Sequence, residues 1–81
     1  MKLLYEGGGE LVLLIIDRKT KKLQIATSKT NYKVTEKPWK YMFDQGKERI
    51  QEKITDKMND EDFEKVVTLS MMKIGYKKKN A

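Results

Sequence analysis

The sequence predicts an α+β domain: a small antiparallel hairpin or meander followed by two helices packed on one face, in the order β-β-β-α-α. Three observations predict it. The N-terminal third is dense in apolar residues at strand spacing, glycine and lysine-rich stretches cut that third into strands, and beyond Pro38 the apolar residues recur at helical spacing. The 81 residues make one domain, expected over residues 1–76, with residues 77–81 as a flexible basic tail. A chain of this size buries roughly 60–65% of its unfolded surface, so its core is thin.

Lys2 to Tyr5 reads as a short strand, and Gly7-Gly8-Gly9 as a turn. Neither GxxxxGK[ST] nor GxGxxG continues from that run, so it carries no phosphate-binding fingerprint. Glu10 to Asp17 and Leu23 to Ser28 then form a hairpin around the polar Arg18 to Lys22. In the second of these strands Leu23, Ile25 and Thr27 alternate with Gln24, Ala26 and Ser28, the pattern of one wet face. The first does not alternate: Leu11, Leu13 and Ile15 point one way, and Val12, Leu14 and Ile16 the other. Both faces call for cover. Helices can supply one side; the other is left either to a second copy of the chain, giving a homodimer, or to both helices, the N-terminal strand and the loops together.

Lys29 to Lys37 is polar, with a brief extended stretch at Tyr32-Lys33-Val34. Pro38 suits the first turn of a helix running to about Lys57. Trp39, Phe43, Ile50 and Ile54 share its apolar face, Met42 and Met58 its margins, and Gly46 sits in the middle of that face. Asp44, Glu48, Glu52 and Asp56 line the opposite side. The second helix has Asn59 as N-cap, Asp60, Glu61 and Asp62 at its positive end, Lys73 near its negative end and Gly75 as its stop. Phe63, Val66, Val67, Met71 and Ile74 form its buried face, while Leu69 and Met72 fall off it. An alternative ends this helix near Lys65 and makes Val66 to Met72 a strand, since β-branched residues are dense there.

With neither cysteine nor histidine, the chain has no thiolate, no imidazole ligand and no usual base for Ser28 or Ser70. No enzyme, cofactor or metal is expected. The longest apolar run, Leu11 to Ile16, is too short to span a bilayer, and the N-terminal residues lack a signal-peptide core. The expectation is a cytoplasmic protein without membrane contact.

Lysine and arginine total 18 against 12 acidic residues, a formal charge of +6. Positive charge gathers at the hairpin tip (Arg18, Lys19, Lys21, Lys22) and in the tail (Lys77, Lys78, Lys79), the candidate contacts for nucleic acid. A lesser basic group surrounds Trp39. Arginine occurs only at positions 18 and 49, and the acidic side of the long helix repels phosphate, so base-specific reading is disfavoured. Leu69 and Met72 are the candidate protein interface. The sequence leans to a small protein-interaction module, a regulator or inhibitor of a larger protein; the alternative is a nonspecific nucleic-acid-binding accessory protein.

Overall fold

The computed structural model describes residues 1–38 and 57–79. Among the described residues it is an α+β fold: five antiparallel strands in the spatial order β4-β3-β2-β1-β5, with one α-helix over the sheet. The strands are β1 (Lys2–Gly7), β2 (Glu10–Asp17), β3 (Lys22–Thr27), β4 (Thr35–Pro38) and β5 (Lys77–Lys78); the helix is α1 (Asp60–Lys73).

Gly8 and Gly9 both adopt positive φ, +57° and +77°, so a two-residue turn joins β1 to β2 with the twist that a tight hairpin needs. At the next turn, Asp17 accepts hydrogen bonds from the Lys19 and Thr20 amides, and Lys21 takes φ +57° before β3 begins. β2 is the central strand. Its Val12, Leu14 and Ile16 join Leu3, Tyr5 and Leu23 beneath the Phe63, Val67 and Met71 side chains of α1. Tyr5 keeps its hydroxyl partnered within this core by Thr68 Oγ1, 2.9 Å away. On the opposite face Leu4, Leu11, Leu13 and Ile15 are half-buried and Ala26 is buried, so this face is not the wet one that the β3 alternation implied.

α1 starts and stops as its sequence dictates. The Asn59 side chain accepts the Asp62 amide at 2.8 Å. At the other end the Tyr76 amide reaches the Met71 carbonyl and the Gly75 amide the Met72 carbonyl, a Schellman reversal with Gly75 at φ +94°. Val66 to Met72 is therefore helix, not strand.

One expectation falls largely outside the described residues and four are corrected. One helix, not two, is found among the described residues. The long helix expected from Pro38 to about Lys57 lies outside them but for its ends, including Trp39, Met42, Phe43, Gly46, Ile50, Ile54 and the Asp44, Glu48, Glu52, Asp56 side. Its expected first residue, Pro38, ends β4 opposite Lys22, since proline presses the preceding Lys37 into the extended region and suits an edge strand. The extended stretch placed at Tyr32 to Val34 begins instead at Thr35, because Asn31 and Tyr32 are left-handed, at φ +55° and +60°. Ile74 is not on the buried face: it is the helix C-cap and 40% exposed. Lys77 and Lys78, read as the start of a free tail, pair with Glu6 and Tyr5 as β5.

Gly7 has a role separate from its two neighbours. A Cβ there would stand 2.5 Å from the Gly75 carbonyl oxygen and 2.8 Å from the Tyr76 ring. Gly7→Ala is expected to cost about 1–3 kcal/mol in urea unfolding, the range for overfilling a closed contact. Ser70 gives the opposite prediction. Its side chain is 1% exposed and its hydroxyl has no hydrogen-bond partner, so Ser70→Ala should stabilise the fold by about 1 kcal/mol in the same assay.

Candidate interaction surfaces

The two basic clusters lie apart. Lys78 stands level with Tyr5 and Val12, whereas the hairpin tip begins five residues further along β2. That separation is about 17 Å along the strands, with about 10 Å across two strand spacings. Hairpin tip and C-terminal lysines therefore do not merge into one basic surface.

Taking the two clusters together, most cations face carboxylates. Arg18 donates to Asp60 Oδ1 at 2.8 Å and to the Met58 carbonyl, and its guanidinium lies 4.7 Å from the centroid of the Phe63 ring. It pins the hairpin tip to the start of α1. Lys22 lies 3.6 Å from Glu36, Lys77 and Lys79 flank Glu6 at 3.6 and 3.7 Å, and Lys78 meets Glu64. Lys21 holds the left-handed turn position, and Lys19 is exposed at the tip beside Asp17. The Asp17 carboxyl is held below its usual range by the Thr20 and Lys19 amides. Exposed pairs of this kind are worth little individually, but they lower the potential that a phosphate backbone would meet.

Leu69 and Met72 point to solvent, 58% and 56% exposed. They stand one turn apart on the side of α1 opposite Phe63 and Val67, with Lys65 and Glu61 paired a turn earlier. Sequence reasoning missed three other exposed apolar side chains, Tyr32, Val34 and Ile74. For Tyr32 and Val34 no periodic pattern exists to read, because they stand in an irregular connection.

At the glycine-turn end, Glu10 is nearly buried, accepts the Tyr76 hydroxyl at 3.1 Å and lies 3.4 Å from Lys29 Nζ. Burial first, and then the Glu10 carboxylate, raise Tyr76 above the ordinary tyrosine range. The hydroxyl therefore stays a donor to Glu10 at neutral pH. This group ties the helix end to β2. Among the described residues, no three acidic side chains gather as a metal site, and no helix is long and apolar enough to cross a membrane.

Removing the Arg18 anchor tests its structural role. Arg18→Ala is expected to destabilise the fold by about 1–2 kcal/mol, combining a charge-assisted hydrogen bond with ring stacking. Lys19→Ala should stay within about 0.5 kcal/mol in the same denaturation assay. In comparisons with protein-family models, curated proteins and solved structures, nothing matches this chain.

Proposed function

We propose that the protein is a small, non-enzymatic interaction module, a regulator or inhibitor that docks on a larger protein. The observation that carries this reading is the solvent-facing pair Leu69 and Met72, on a helix whose other side fills the core. Large apolar side chains on a rigid helix, adjacent at i and i+3, can serve as anchors for a partner's apolar groove. The mixed charges around them would orient docking more than they would add affinity.

The alternative, nonspecific nucleic-acid binding through Arg18, Lys19, Lys21, Lys22, Lys77, Lys78 and Lys79, is the weaker reading. Arg18 is committed to Asp60 and Phe63, and the two clusters are separated. Lys19, exposed at the hairpin tip, remains a candidate for it.

Two measurements decide between the readings. In cross-linking pull-downs, Leu69→Lys with Met72→Lys is expected to abolish partner capture while the far-UV spectrum and melting temperature stay near wild type. Retained capture would remove the pair from the proposal. In titrations against labelled single- and double-stranded DNA and RNA, weak or absent binding at low salt is expected. Micromolar binding that falls linearly on a log–log salt plot would establish the alternative instead.

A further inference from the structure

One end of the sheet gathers features that no single stretch of sequence displays. The β1–β2 turn, the β3–β4 connection and the α1–β5 reversal all lie there, because Gly75 rests against Gly7 and β3 ends beside the start of β2. Of the five large apolar side chains exposed among the described residues, four belong to this end: Tyr32, Val34, Met72 and Ile74, each between 40% and 56% exposed. Leu69 is one helical turn back. Five of the six described residues with positive φ are here as well, namely Gly8, Gly9, Asn31, Tyr32 and Gly75. A non-glycine residue as bulky as tyrosine seldom adopts that conformation, so the Tyr32 backbone is strained where its ring meets solvent.

An open cleft of about 750 Å³ runs between the glycine turn and the helix end, lined by Leu11, Met72 and Tyr76 together with Glu6 and Glu10, and with Lys77 and Lys79, which flank Glu6. Its other wall is the side-chain-free backbone of the glycine turn, which lets a ligand approach closely. Five lysines at this end, Lys29, Lys33, Lys73, Lys77 and Lys79, stand against two carboxylates, so a net positive charge remains even with Glu10 beside Lys29 and Glu6 between Lys77 and Lys79. Five strands at sheet spacing make it about 19 Å wide, the length of roughly three and a half helical turns.

From this arrangement we infer that the docking surface extends from Leu69 and Met72 across the glycine-turn end. Its occupant is an acidic amphipathic segment of a partner protein, with apolar side chains in the cleft and carboxylates on the surrounding lysines. This inference rests on the interaction-module reading and names the chemistry of the partner. Charge complementarity selects an acidic segment. A second copy of the chain would set one lysine-rich end against another.

The test is an amide-resolved titration of the labelled full chain with three synthetic helical peptides. One carries leucine on one face and glutamate on the other, the second replaces leucine by alanine, and the third replaces glutamate by lysine. The leucine–glutamate peptide should shift Gly8, Gly9, Tyr32, Val34 and Ile74, and bind at least about tenfold more tightly than either control. Met72→Lys with Ile74→Lys, and independently Tyr32→Ser with Val34→Lys, should each weaken it about tenfold, the loss expected of an interface anchor. Equal affinity for the alanine peptide, shifts centred on Lys19 to Lys22, or no shifts would overturn the inference. Tighter binding to phosphatidylcholine vesicles containing phosphatidylserine would overturn it in favour of lipid. Shifts confined to the outer face of α1 would leave the interaction module standing and remove only its extension. Partner capture that survives Leu69→Lys with Met72→Lys counts against the module itself.

Discussion

Much of the molecule depends on one close approach of backbone to backbone, where Gly7 of β1 meets the carbonyl of Gly75 just past the helix. With a Cβ at residue 7 only 2.5 Å from that oxygen, the helix end could not settle on the sheet. The approach sets the level of α1, and the Schellman reversal at Gly75 then redirects the chain. Tyr76 turns toward Glu10, and Lys77 and Lys78 run back along β1 as a fifth strand. A small domain has few kilocalories per mole to spare, so the geometry of one such joint weighs heavily.

The opposite end of α1 is held by different chemistry. Arg18 reaches from the hairpin tip to Asp60 and the Met58 carbonyl and lies against Phe63, while Asn59 caps the first turn. Between these two anchors the core of the described residues sets a few side chains from β1, β2 and β3 against Phe63, Val67 and Met71. A helix fastened at both ends can expose Leu69 and Met72 without losing its place, because neither is needed for packing.

The sequence made the regular parts readable. The bounds of β2, the Asn59 cap, the acidic first turn and the Gly75 stop each follow from a local rule that the structure obeys. What it hid depends on distant partners. Three consecutive glycines look like one turn, yet Gly8 and Gly9 make the turn while Gly7 makes room for the helix end. Arg18 reads as a free cation because its partners lie about forty residues away. The lysines after Tyr76 read as a solvated tail because a two-residue strand has no periodicity to detect; only the existing edge of β1 makes it one. Leu69 and Met72 were legible as departures from a helical face, whereas Tyr32 and Val34 belong to a loop whose exposure follows no sequence rule.

The edge strands set a limit on how another chain can be recognised. β4 spans four residues and ends in proline; β5 spans two residues, both lysine. Short edges with these residues present few free amides in line and oppose the addition of a further strand. Growth of the sheet into a larger cross-β stack is discouraged at both sides. The docking proposed for this protein would therefore engage side chains and loops, and its selectivity would come from shape and charge, not from a shared ladder of backbone hydrogen bonds along the described edges.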